Sequence, residues 1–355
     1  MDAANRRLSV PCRQVNIQRS AASEIARLPS PRQDGQVSIS HTSKLGIIGA
    51  GAVGTSLAYA ALIRGAADEL AIYDINAARA QAQVLDLAHG TPFAHRTRID
   101  GGGDLDCITD SDVIVVSAGA SQLPGQTRLD LVNTNAGIIS ELMPQLIKRA
   151  PDAVYLIVTN PVDVLTAVAT DVAGLRRGQV IGSGTTLDSA RLRWLVAEAA
   201  AVAPRDVHAM ILGEHGDSEF PVWSNATIGG CPIGEWADED GTKLFDEAAL
   251  ADLASQAVQS AYAIISGKGA TNYAIGLAGV RLIEAILRDE HMITPVSTVL
   301  RDYEGVSGVA LSVPCVLGAG GVQRVLRVPM NDSELAAFAR SADAMRAVLD
   351  QLGGR

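Results

Sequence analysis

Short apolar runs alternate with longer stretches of amphipathic spacing along most of this chain, beginning near Lys44. KLGIIG predicts a strand, and the Ala-rich stretch from Ala52 to Arg64 predicts a helix. ELAIYD (69–74) predicts the next strand, followed by a helix from Asn76 to Ala88. DVIVVSAG (112–119) predicts a third strand, after which a Gly- and Pro-punctuated loop leads into a helix ending near Arg149. AVYLIVTNP (153–161) predicts a fourth strand. Strands alternating with helices in this way imply a parallel, doubly wound α/β sheet.

The rhythm changes after Gly182. A helix over 185–201 leads to a strand near 207–212, then to two long helices, about 246–266 and 271–289. The β-rich runs TPVSTVL, GVALSVPCVLG and VQRVLRVPM follow, and an amphipathic helix from Ser333 to Leu352 closes the chain. No internal repeat is visible. The pattern divides into a nucleotide-binding domain over 44–182 and an α+β substrate domain over 183–355 that closes a site against it.

Composition narrows the function classes. A chain of 355 residues can bury a large core. Nearly half the residues are apolar, yet no uninterrupted run is long enough to span a bilayer. A net charge of −10 argues against nucleic acid or an anionic membrane as the main partner and leaves room for a small anion in a local basic pocket. Cys12, Cys107, Cys231 and Cys315 lie far apart, with no CxxC pair and no His at zinc-ligand spacing. Free thiols, a reducing cytoplasmic compartment and no metal are the expectation. Residues 1–43 carry six arginines, many Ser and Gln, and little periodicity, which reads as a disordered extension. A mitochondrial transit peptide is the competing reading, and a mis-set start is another, since the next Met after Met1 is Met143. Arg6 and Arg7 precede no apolar segment, so a secretion signal is excluded.

GAGAVG (49–54) fits GxGxxG at the exit of a strand and the entrance of a helix, and Asp74 ends the next strand 20 residues past Gly54. Gly49, Gly51 and Gly54 permit a tight turn, close backbone approach to a pyrophosphate and close helix packing. The helix N-terminus supplies amides and a positive dipole for phosphates. A carboxylate at Asp74 accepts ribose hydroxyls and repels a 2′-phosphate, which favours NAD over NADP. This is a Rossmann-type signature; a Gly turn that binds nothing is the bland alternative.

LGEHGDSEFP (212–221) sets His215, one of only six histidines, between two glycines and among three acids. GTTLDSARLRW (184–194) places Asp188 and Arg191 at i and i+3, on one helix face, where a plain surface ion pair is the competing reading. ASQLPGQTRLDL (120–131) carries Arg128 on a loop with Pro124 and Gly125. VTNPVD (158–163) puts Asn160 at the C-terminal end of a parallel strand, where open α/β sheets bind ligands. GKGATNYAI (267–275) begins a helix with Thr271. Local capping is the alternative role for both Asn160 and Thr271.

Taken together, these stretches resemble the lactate/malate dehydrogenase family, within it the L-lactate dehydrogenases, from about Lys44 to Leu352. The resemblance implies that Arg191 clamps the carboxylate of a 2-keto acid, that His215 exchanges a proton with its carbonyl oxygen, and that Asp188 orients and charges the imidazole. It implies that Arg128 stabilises the developing alkoxide when its loop closes, with Asn160 near the same oxygen. Gly49, Gly51, Ala52, Val53, Gly54, Asp74, Gly119, Ala120, Asn135, Asn160 and Ile275 are the implied NAD-binding set. Gln122 stands where malate enzymes of the family carry Arg. It offers dipoles but no charge for a second carboxylate, so Gln122 and Thr271 point to pyruvate and lactate over oxaloacetate. Malate or a bulkier 2-hydroxyacid is the alternative substrate, and a silent NAD-binding protein is the alternative class.

Arg193 lies two residues past Arg191, turned about 200° away, and His208 lies on the strand running into the His215 turn. The matching positions in bacterial enzymes activated by fructose bisphosphate are Arg and His. The resemblance therefore implies an allosteric phosphate site across a subunit interface of a homotetramer, against an exposed Arg and a structural His as the alternative. Three departures stand out: the extended N-terminus, Gln126 where many relatives carry Glu, and Leu192 in place of a common Phe.

Overall fold

The computed structural model describes residues 42–120 and 128–353. Fourteen strands and eight helices follow one another among them. The first half contains β1 (Lys44–Ile48), α1 (Ala52–Arg64), β2 (Glu69–Tyr73), α2 (Ala77–Gly90), β3 (Arg98–Gly102), β4 (Val113–Val116), α3 (Arg128–Arg149), β5 (Val154–Ile157), α4 (Val162–Ala173) and β6 (Val180–Gly182). The second contains α5 (Thr186–Ala200), β7 (Val207–His208), β8 (Ile211–Leu212), β9 (Phe220–Pro221), β10 (Thr227–Ile228) and β11 (Cys231–Pro232). It ends with α6 (Glu247–Lys268), α7 (Tyr273–Leu287), β12 (Met292–Val299), β13 (Ala310–Gly318), β14 (Gly321–Val325) and α8 (Asp332–Gly353).

One nine-stranded sheet runs in the order β14-β13-β12-β6-β5-β4-β1-β2-β3. The six strands from β6 to β3 are parallel, and the order reverses beside β1. That reversal opens a crevice at the carboxyl ends of β1 and β4, the place where doubly wound sheets take ligands. Helices cover both faces, which is why the strands read as continuous apolar runs. Within β4, Val113 and Val115 join one core and Ile114 and Val116 the other, as a period of two requires.

The expected strands β1, β2, β4 and β5 and the helices flanking them are present. The expectation omitted β3, whose RIDGG sequence has no apolar alternation, and the three-residue β6, and it left α4 undelimited. The strand expected near 207–212 is two short strands: β7 pairs with β10 and β8 with β9. Between them the Arg193 Nε donates to the Ala209 carbonyl at 2.8 Å, so a side chain takes the place of a ladder bond. Of VQRVLRVPM only the start is strand.

The late β-rich runs also do more than pair with each other. β12 joins β6 through the antiparallel pair Ser297 and Gly182, so strands from both expected domains share one sheet. A separate apolar cluster (Leu192, Val196, Val207, Ile211, Phe245 and Leu253 among its members) packs α5 and α6 on the small sheets. Leu192 is fully buried there, so its departure from Phe is a packing matter. Residues 1–41, the body of the expected N-terminal extension, and residues 121–127, with Gln122 and Gln126, lie outside the described residues. Among the described residues Cys107, Cys231 and Cys315 are free thiols, and no helix is long and apolar enough to cross a membrane.

Candidate active site

Two neighbouring cavities carry the chemistry. The first, about 510 Å³, lies over the reversal point and is lined by Gly49, Gly51, Asp74, Ser117, Gly119 and Ala120 among others. Gly49 sits at φ +106°, and a Cβ on Gly54 would come within 1.9 Å of the Gly49 carbonyl oxygen. Only glycine fits either place. A Cβ on Gly51 would meet nothing within 4 Å, so the backbone there faces open space in which a phosphate can sit against it. The first turn of α1 has neither an acidic residue nor a side-chain cap, so its amides and dipole remain available, with Ala52 and Val53 leading the turn. Asp74 accepts from the Ala50 and Asn76 amides, each at 2.8 Å, which locks the glycine turn to the end of β2. The residues present therefore fit a dinucleotide.

Asn135 has a different place from the other residues of the implied cofactor set. It is 1 % exposed, with its Oδ1 accepting from the Ala120 amide at 2.7 Å and its Nδ2 donating to the Asn160 carbonyl at 2.9 Å. It staples the two loops that border the crevice. Ile275 is buried on α7.

The second cavity, about 510 Å³, is lined by Asn160, Asp188, Arg191, His215, Glu219 and Tyr262 among others. Four of the expected site residues, Asn160, Asp188, Arg191 and His215, therefore meet in one place. His215 Nδ1 lies 2.6 Å from Asp188 Oδ2, and the Arg191 Nη1 donates to Asp188 Oδ1 at 2.5 Å. The His215 backbone amide donates to Asp163 Oδ2 on α4 at 2.7 Å, which anchors the turn from beneath. Asn160 Oδ1 accepts weakly from the Val162 amide at 3.3 Å, leaving its Nδ2 to point elsewhere. Thr271 lies just before α7, outside the residues lining this cavity. Arg128 opens α3, and its side chain lies outside the described residues.

Electrostatics set the protonation states. Burial works against a charged His215, but the Asp188 charge and hydrogen bond outweigh it and push the imidazole up to about 9. Burial alone would raise the Asp188 carboxyl; the charges of His215 and Arg191 win and hold it below its usual range. Glu219 was not singled out from the sequence. Its Oε2 lies 3.9 Å from His215 Nδ1 and its side chain is 4 % exposed. Burial, then the like charge of Asp188, push it up to about 9. Burial likewise pushes Asp163 up to about 6. The acidic residues of GEHGDSE gave the only sequence signal for Glu219; its burial beside Asp188 is a tertiary fact.

Asp188, His215 and Glu219 also bring three metal-ligating groups within 4.8 Å of one another. Asp188 already has both oxygens engaged by Arg191 and His215, so the donor set faces a proton and a guanidinium in preference to a metal ion. Arg193, on the same helix as Arg191, reaches in another direction to Ala209, next to the exposed His208.

Comparison with known proteins gives the family. Residues 43–182 match the model of the lactate/malate dehydrogenase NAD-binding domain, and residues 185–353 match that of the lactate/malate dehydrogenase α/β C-terminal domain. An L-lactate dehydrogenase of Bifidobacterium animalis subsp. lactis is 47 % identical over 311 residues, 88 % of this chain and 97 % of that protein. One from Synechococcus sp. is 47 % identical over 306 residues, 86 % of this chain and 98 % of that protein. A minor L-lactate dehydrogenase of Enterococcus mundtii, solved in a ligand-bound form, superposes with a TM-score of 0.83 at 38 % identity, covering 88 % of this chain and 98 % of that one. The chain belongs to the lactate/malate dehydrogenase family, and its residues 43–182 are that family's NAD-binding domain.

Proposed function

We propose that this protein is an NAD-dependent L-lactate dehydrogenase that interconverts pyruvate and L-lactate, with His215 as the acid/base. The observation that carries the reading is the double contact of Asp188, with His215 and with Arg191, inside one cavity beside the dinucleotide crevice. When bound, the nicotinamide supplies or accepts the hydride. Arg191 holds the substrate carboxylate through its guanidinium fork. His215, charged at neutral pH and held by Asp188, gives the proton of its free ring nitrogen to the keto oxygen during reduction and takes it back during oxidation. Asn160 Nδ2 donates toward the same oxygen. Arg128 enters from its loop to stabilise charge developing there.

Pyruvate is preferred to oxaloacetate because, among the described residues, the cavity lining offers Arg191 as its one guanidinium and surrounds it with Val258, Ala261 and Ile265. A second carboxylate would be buried there without a partner. Replacing Gln122 with Arg swings preference toward oxaloacetate; an unchanged ratio of kcat/KM for the two keto acids removes Gln122 as the discriminator. The carrying experiment is NADH oxidation with pyruvate by the His215→Asn variant. Its rate falls by at least about 100-fold, the lower end of what a positioned acid supplies, and an undiminished rate defeats the reading.

Fructose bisphosphate activation is the regulatory part of the proposal. Arg193 and His208 lie on neighbouring segments, joined by the Arg193–Ala209 contact, on rigid elements that also carry Arg191 and lead to His215. A bisphosphate would neutralise cations facing one another across two subunits and so favour the active assembly. Identical pyruvate saturation curves with and without fructose bisphosphate remove it. Support for self-association comes from α1 and α7, where Tyr59, Ile63, Tyr273 and Leu277 are exposed around a groove of about 670 Å³. Sedimentation of the purified chain as a tetramer is the expected result.

A further inference from the structure

The turn that carries His215 ends in a second carboxyl that the mechanism above does not use. Glu219 points into the cavity with its side chain almost wholly covered. Among the described residues no Lys or Arg lies within ion-pair distance of it. The nearest cationic atom is His215 Nδ1 at 3.9 Å, and that nitrogen is committed to Asp188 at 2.6 Å. Both Asp188 oxygens are occupied as well, one by His215 and one by Arg191. An ionised Glu219 would thus be a desolvated anion with no donor of its own, beside another anion.

We propose that Glu219 stands in the working enzyme as a neutral carboxylic acid and thereby sets the net charge that the substrate carboxylate meets. This rests on the reading of Arg191 as the carboxylate clamp and His215 as the proton donor. With Glu219 neutral, Arg191 and protonated His215 balance Asp188 and Asp217 among the described residues of the lining, and the Arg191 fork is open to a monoanionic keto acid. With Glu219 ionised the same lining carries one net negative charge, and the incoming carboxylate meets a bare anion at its wall. Glu219 is therefore a positioning residue for charge: it need not touch substrate, and its proton is a condition for binding. The other charged groups facing it are Asp188 and Arg191 from α5 and His215 from its own turn, with Asp217 in the same cavity lining. Tyr262, from α6, is tied to Asp217.

Substrate binding must then require two protons on the enzyme, one on His215 and one on Glu219, and the two sites titrate as a coupled pair. The test uses the full chain saturated with NADH and the probe oxamate, which is pyruvate with its methyl replaced by an amino group. Above the range where both groups are protonated, oxamate binding to the wild-type complex takes up about two protons, read with a pH indicator in weak buffer, and log Kd rises correspondingly steeply. In Glu219→Gln, an uncharged isostere of the acid, uptake falls to about one proton, that of His215. Infrared difference spectra of the wild type show a protonated carboxylic-acid band that this substitution removes, and they serve even if the variant folds poorly. Uptake of one proton by the wild type, or no such band, overturns the proposal. Each of those results leaves the lactate dehydrogenase reading standing; loss of all oxamate binding by the wild type would remove both.

Discussion

At the residue scale the protein turns on one imidazole and the charges around it. His215 is raised to about 9 from an ordinary 6.5, so it favours the protonated state in the fold. Its contribution to stability is complete below the unfolded value of about 6.5 and is lost as pH rises through about 9. On the proposed mechanism the same titration governs catalysis. In the enzyme–NADH complex, kcat/KM for pyruvate reduction holds through neutral pH and falls as the solution passes about 9, whereas lactate oxidation, which needs the neutral ring, gains over that interval. Asp188→Asn removes the principal charge holding the proton, so the falling limb of the reduction profile moves to lower pH and the plateau drops by about 10²-fold or more. An unmoved limb in that variant would mean Asp188 does not set the imidazole charge. Arg191→Lys keeps one charge and loses the planar fork. KM for pyruvate rises by about 10-fold or more, and an unchanged KM argues against a bidentate clamp.

At the scale of elements, function follows from where strands end and helices begin. The β1–α1 turn brings the chain close enough to a pyrophosphate only because Gly49 and Gly54 carry no side chain. Gly54→Ala would drive a methyl into the Gly49 carbonyl, so NADH affinity falls and the melting temperature drops together. A variant that binds NADH as the wild type does would show that the turn can relax. Beneath the catalytic turn, Asp163 joins α4 to the His215 amide while buried and raised to about 6. A carboxyl raised above its unfolded 3.8 supports the fold fully below that value and loses its contribution as pH climbs through about 6. Asp163→Asn keeps an acceptor for the amide without the buried charge. The stability difference between variant and wild type therefore shifts in the variant's favour between pH 4 and pH 6, read by denaturant unfolding; a difference flat across that window removes Asp163 as a titrating group. GAGAVG, LDSAR and GEHGDSE were legible in the sequence because each is a local signal. RIDGG and the three residues of β6 were not, since strands that short are made by their neighbours in the sheet.

For the whole molecule, the shared sheet matters more than the boundary near residue 182. β12 pairs with β6 at Ser297 and Gly182, and β13 and β14 extend the sheet beyond it. A fragment of residues 42–182 would expose β6 as an unpaired apolar edge. It is expected to aggregate or to unfold without cooperativity, and a soluble fragment with a sharp transition would show that the first half folds alone.

The sequence by itself determined the alternation of strands and helices, the glycine turn with Asp74 at its distance, and the helix face that Asp188 and Arg191 share. All of these are written in local periodicity and in spacings of a few residues. Only the tertiary structure decided that Asp188 serves His215 and Arg191 at once, that Asn135 holds loops together, and that Glu219 is buried beside an ion pair with no cation of its own among the described residues. Those facts depend on segments distant in the chain being packed together out of water, where the dielectric falls and each unpaired charge acquires a cost that no local pattern encodes.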